Sequence, residues 1–175
     1  MSMKTSLAAL VAAMLVPAAA MAVTVRLDRT VVQAAAPGRA QCQPTSGVEK
    51  AAIASATSDQ RRGRGLKAVR PSARLAQAAA RHACDMARRG RMTHVGSTTH
   101  GPAPRLKAMG HAPSVTAENI AAGHFDLNRV LHEWNVSTGH HANIVIPQMR
   151  HMGIGEAVGA DGKTRFWAAV YAAPR

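Results

Sequence analysis

Apolar and polar residues follow two rhythms along this chain. From Thr45 to Trp134 the apolar positions mostly recur at helical spacing. Thr45-Ser46 can cap a helix running to about Thr57, with Val48, Ala52, Ile53 and Ala56 on one face, and Arg62-Gly63-Arg64-Gly65 breaks it. A second helix is predicted over Pro71 to Arg89. Pro71 suits its first position, Leu75, Ala79, Ala83 and Met86 form an apolar stripe, and Gly90 ends it. Pro102 to Met109 reads as a short helix closed by Gly110. Asp126 can cap a further long helix whose Leu127, Val130, Leu131 and Trp134 follow the i, i+3, i+4, i+7 rule of a core-facing stripe. Gly139 to Ile144 is a turn or a short helical piece. The rhythm then changes. His151 to Val158 and Thr164 to Ala172 read as two strands joined by a turn containing Asp161-Gly162.

Helices first and an antiparallel hairpin last favour a single α+β layered domain. All five aromatic residues, Phe125, Trp134, Phe166, Trp167 and Tyr171, lie in the last third, so the heaviest packing is expected there. At 175 residues the chain suits one domain with a genuine core.

The first 22 residues change the picture from fold to compartment. Lys4, the apolar stretch Leu7 to Pro17 and the small-x-small pattern Ala20-Met21-Ala22 predict a secretory signal peptide, residues 1–22, cleaved after Ala22. The apolar run is short for a membrane span, and Arg26, Asp28 and Arg29 follow it. A secreted or periplasmic protein is therefore expected, with no stable membrane insertion after cleavage. Residues 23–45 read as a lead-in segment and 46–175 as the domain. In an oxidising compartment Cys42 and Cys84 are expected to close a disulfide, the alternative being two separate buried thiols.

Formal charge is +13, and the signal peptide removes only Lys4, which leaves +12. So basic a surface favours anionic partners: envelope polymers, lipid head groups or acidic glycans. Much of the charge falls between Arg61 and Arg74, then at Arg81, Arg88, Arg89 and Arg91. This run lacks aromatic residues for base stacking and matches no nucleic-acid motif, so no specific nucleic-acid binding is expected. A solvated basic face that keeps the protein soluble is an equal reading.

Three segments carry the candidate chemistry: Thr93-His94-Val95-Gly96, Ala117-Glu118-Asn119-Ile120-Ala121, and Gly139-His140-His141-Ala142-Asn143-Ile144 following Trp134. Two imidazoles and a carboxylate suit a divalent metal such as zinc, or proton transfer. The chain contains neither His-Glu-x-x-His nor Cys-x-x-Cys. In order, spacing and flanking residues, Pro71 to Tyr171 resembles the bacterial branch of the CAP superfamily, the secreted SCP domains of the cysteine-rich secretory protein, antigen 5 and pathogenesis-related type. The resemblance implies an α-β-α sandwich whose central cleft is lined by His94, Glu118 and His140. It also implies ligand contacts from Thr93, Asn119 and His141, and scaffold roles for Arg105, Trp134 and Asn143.

Departures from the family pattern reduce the polarity of that cleft. The second acidic residue is replaced by Ser137 or a neighbour, the usual arginine is His141, and a usual glutamine is Ala169. Glu133 and Glu156 are expected elsewhere on their elements, His82 in a structural position, and the remaining histidines at the surface. Three functions compete. The first is a noncatalytic ligand-binding module whose His/Glu cleft takes a divalent cation and an envelope-associated lipid or glycan. The second is a metal-assisted hydrolase of peptides or cell-wall material with Glu118 as its catalytic general base. The third is a basic adhesin binding anionic polymers through Arg61 to Arg74.

Overall fold

The computed structural model describes residues 31–174, so the expected signal peptide and its cleavage site lie outside the described residues. The elements are β1 (Val32–Gln33), β2 (Gln41–Cys42), α1 (Gly47–Arg62), β3 (Arg70–Pro71), α2 (Ala73–Arg89) and β4 (Arg91–Met92). They are followed by α3 (Pro102–Ala108), β5 (Val115–Gly123), α4 (Leu127–Val136), α5 (Thr138–Ile144), β6 (His151–Val158) and β7 (Arg165–Ala173). The order β2-β6-β7-β5 forms an antiparallel sheet, with β3 parallel beside β6; β1 and β4 pair separately. In the predicted hairpin Val158 stands opposite Arg165, and β5 pairs with β7 along its whole length, Glu118 opposite Val170. β5 is thus an edge strand.

The fold is the expected α+β sandwich. On one face of the sheet lies α2, whose stripe Leu75, Ala79, Ala83 and Met86 is completely buried with Ile120, Phe166, Ala168 and Val170. Helix and sheet approach so closely because β6 turns glycines toward α2. A Cβ on Gly153 would fall 2.0 Å from the Ala76 nitrogen, and one on Gly155 2.1 Å from that of Ala80. The other face is covered by α1, α4 and α5, where Trp134, Trp167 and Tyr171 pack with Ile53 and Met149.

Local chemistry sets the helix ends. Ser46 and Glu49 form a reciprocal capping box at α1, and Asp126 caps α4 by accepting from the Arg129 N–H at 2.7 Å. Gly90 closes α2 with φ 64, a left-handed conformation that favours glycine. Pro71 is not the first residue of α2, however. It pairs with Met152 in β3, and Ser72 caps the helix instead.

The buried side of α1 also differs from its apolar pattern. Val48 is 80% exposed, and the inward positions are Ile53, Ala54, Thr57, Ser58 and Arg61. Three polar side chains face the core there because the interior supplies partners. Ser58 bonds the Ala54 and Val69 carbonyls, while the Arg61 guanidinium donates to the carbonyls of Lys67, Ile144, Ile146 and Met149. Arg61 is therefore a buried tie between α1 and the segment after α5, not part of an adhesive surface.

Of the lead-in, residues 31–45 are among the described residues, and β2 adds to the sheet beside β6. Cys42 and Cys84 form the expected disulfide, joining the lead-in to α2 with a Cα separation of 5.3 Å. No helix among the described residues is long and apolar enough to cross a membrane.

Candidate functional site

Three parts of the fold meet at the free edge of β5. His94 sits in the loop after β4, Glu118 and Asn119 lie on β5, and His140 is the third residue of α5. Alternation along a strand sends neighbours to opposite faces. Glu118 therefore shares the α2 side with Ile120, and Asn119 the opposite side with Ala117 and Ala121. The carbonyls of Glu118 and Ile120, two residues apart, point along the same edge. Asn143 donates to the first at 3.2 Å and the Trp134 indole N–H to the second at 3.3 Å, so α4 and α5 satisfy an edge no strand covers.

A cleft of about 430 Å³ opens here. His94, His140 and Glu118 border it, together with His100, Ser137, Asn143, Thr116, Ala117 and the Pro102-Ala103-Pro104 start of α3. The three residues named from the sequence are thus gathered at one cleft, but not as one ligand set. The Glu118 side chain is fully buried. Its Oε1 lies 3.0 Å from His94 Nδ1 and 3.5 Å from His82 Nε2, and its Oε2 forms an ion pair with Arg105 Nη2. Burial pushes the Glu118 carboxyl up, but the His94 hydrogen bond and the His82, Arg105 and His94 charges outweigh it and hold its pKa below the usual carboxylate value.

The histidines differ in environment. His82, 1% exposed, is pushed down to about 4 by burial, against the pull of Glu118, so it is neutral at physiological pH. Its Nε2 lies 3.0 Å from the Thr93 carbonyl, an acceptor, so the ring carries its proton there. His94 Nδ1 likewise faces the Glu118 carboxylate and donates to it, which fixes the orientation of that ring. His140 is lowered, first by burial and then by the charge of His94. Its ring stands 6.5 Å from that of Trp134, and its buried Nδ1 has no hydrogen-bond partner among the described residues.

Thr93, Asn119 and His141, expected to touch ligand, are not among the residues that line the cleft. Thr93 is 1% exposed and its hydroxyl accepts from the Val95 N–H at 3.1 Å. Asn119, 0% exposed, donates to the His140 carbonyl and accepts from Asn143 at 2.9 Å. His141 is half-buried and absent from the lining. Ser137 does line the cleft, so the missing second carboxylate leaves a hydroxyl there. Glu133 and Glu156 are engaged by Arg129 and Arg165.

The position of Arg105 and His82 against the Glu118 carboxylate was not legible in the sequence, which marked both as structural. His100, expected at the surface, is exposed and borders the cleft. The donors do not fit a metal centre of the His94, Glu118, His140 kind, because both carboxylate oxygens are engaged by cationic or N–H partners. Among the described residues no three His, Cys, Asp or Glu side chains converge as a metal site.

Helices thus sandwich a mainly antiparallel sheet, with a histidine-lined cleft at its edge and an acidic residue locked beneath. The chain belongs to the cysteine-rich secretory protein (CAP) family, whose sequence pattern matches residues 54–171. It is similar to the YkwD protein of Bacillus subtilis, 30% identical over 99 residues that make up 57% of this chain and 38% of YkwD, so it spans well under half of that relative. An outer surface protein of Borrelia burgdorferi shares the fold with a TM-score of 0.67 at 18% identity, covering 79% of this chain and 99% of its own. An extracellular SCP-domain protein of Bacillus anthracis aligns with a TM-score of 0.63 at 23% identity, over 75% of this chain and 45% of that one. A more distant structure, solved with Zn2+, has a TM-score of 0.51 at 12% identity, over 74% and 81% of the two chains.

Proposed function

We propose that this chain is an exported, noncatalytic binding module whose cleft holds an envelope-associated ligand, a glycan or a lipid, against the His94 and His140 imidazoles. The observation that carries this reading is the confinement of Glu118. A general base needs a free lone pair within reach of substrate and a pKa near the working pH. Glu118 has neither: its side chain is fully buried, Arg105 and His94 occupy its oxygens, and its pKa is held low. Its place is to orient the His94 ring from beneath. The proline-rich lip and the two imidazoles then offer an apolar wall and a polar floor, the usual make-up of a ligand pocket. Export agrees with the extracellular and outer-surface character of the relatives.

A divalent cation would find two imidazoles here and would complete its coordination from water or ligand. Zinc titration by calorimetry is expected to show weak binding that His94→Ala/His140→Ala abolishes; identical heats for both proteins remove the cation from this reading. Incubation with a peptide and muropeptide library is expected to give no turnover that depends on Glu118. Turnover by the wild type that disappears in Glu118→Gln would replace the binding module with the hydrolase.

A further inference from the structure

The basic run read from the sequence is sorted by the fold into residues with carboxylate partners and residues without, and three of the latter, Arg74, Arg81 and Arg88, line a second groove. Arg62, Arg89, Arg105, Arg129 and Arg165 each meet a carboxylate. Arg74, Arg81 and Arg88 are exposed, and among the described residues none of them, nor Lys50, lies within ion-pair distance of one. These four border a groove of about 800 Å³ between α2 and the lead-in, on the side of the helix away from its buried stripe.

We propose that this groove binds a linear acidic glycan. Arg74, Arg81 and Arg88 are seven residues apart, nearly two helical turns, so their guanidinium groups form a row with about 10 Å between successive members. That spacing suits a polymer with recurring charges better than a single small anion. Arg74 also stands in the first turn of α2, where no acidic residue balances it and where a cation opposes the helix dipole. Arg88, in the last turn, is favoured by the same dipole, so the repulsion an incoming polyanion relieves lies at the Arg74 end of the row. Arginine matches carboxylate and sulfate ester groups alike through paired N–H donors.

The remaining lining favours a glycan. Ala73, Ala76 and Ala80 leave a low floor along which a chain can lie, and Gln43 and Gln77 offer amides to hydroxyl groups. No aromatic residue lines the groove, so the stacking platform of a single-stranded nucleic acid binder is missing. The Cys42–Cys84 disulfide fixes the lead-in wall against the helix. Nothing in this site draws on His94 or His140.

The test is calorimetry of the full chain with polygalacturonate and heparin as carboxylate and sulfate probes, neutral dextran as control, and a single-stranded oligonucleotide of matched charge. One or both acidic glycans should bind, and whichever does identifies the acidic group. Arg81→Ala/Arg88→Ala should weaken binding by about tenfold or more and flatten its salt dependence, with an unchanged thermal melt. Arg62→Ala/Arg64→Ala, off the groove, and His94→Ala/His140→Ala, in the cleft, should bind as wild type. The proposal is overturned if neither acidic glycan binds, if the groove variant binds normally, if the Arg62/Arg64 variant loses as much, or if the oligonucleotide binds more tightly than both glycans.

Discussion

Removing Arg105 isolates the electrostatics on which the cleft floor depends. In the wild-type protein the Glu118 carboxylate is fully buried yet has its pKa held down by His94, His82 and Arg105. Breaking a buried pair from one side costs about 3–5 kcal/mol, because it strands the other charge. The His94 hydrogen bond survives in Arg105→Ala and places the loss toward the lower end, about 3 kcal/mol. For a domain of this size such a loss lowers Tm by about 6–12 °C.

The pH dependence carries a sign. With its pKa depressed, Glu118 contributes stability to the wild type that is present above the unfolded-state pKa and lost as pH falls through the lower folded value. In Arg105→Ala burial has less to oppose it, and the folded pKa rises from its wild-type value. Its deficit relative to the wild type is then smallest at low pH, where the carboxyl is protonated, and grows as pH rises and the carboxylate forms. Urea unfolding at about pH 4 and about pH 7.5 should therefore show the larger deficit at the higher pH. Arg105→Met/Glu118→Leu, which removes both charges, should recover most of the stability. A deficit independent of pH, together with no recovery in the double variant, would refute the reasoning.

Two further outcomes test the scaffold. Reducing the Cys42–Cys84 bond, which spans 42 residues, should lower stability by about 4 kcal/mol in the chain-entropy estimate, read as a shift of the denaturation midpoint with and without reductant. Gly155→Ala drives a methyl group into the Ala80 backbone and should destabilise by about 3 kcal/mol, or prevent folding, whereas Gly162→Ala, in the β6–β7 turn with open space around it, should cost about 1 kcal/mol for its positive φ alone. Circular dichroism melts distinguish them, and equal losses would contradict the close packing of α2 on β6.

The elements the sequence revealed are those with local signals. Ser46 with Glu49, Asp126 and Gly90 mark helix ends by chemistry within a turn, and Asp161-Gly162 marks the hairpin. β5 carries no such mark. Six of its nine residues, three alanines with Glu118, Asn119 and Gly123, have low strand propensity, and it is a strand because β7 pairs with all nine of its positions. The histidine-and-acid grouping was legible through the three flanking segments. The partners that hold Glu118 were not, since Arg105 and His82 reach it from α3 and α2 across distances that only the tertiary fold closes. In the same way, the charge run from Arg61 to Arg74 reads as uniform in sequence, while the fold buries Arg61 and leaves Arg74 at a groove.

The capped edge of β5 has a consequence for ligand entry. Trp134 and Asn143 shape the region of the cleft and also cover main-chain acceptors that would otherwise invite strand-to-strand polymerisation. Swinging α4 and α5 outward to admit a bulky guest would uncover that template, so hinge-like gaping carries an aggregation hazard. The slot is better suited to slender guests that slide into a preformed opening than to anything the domain must clamp around.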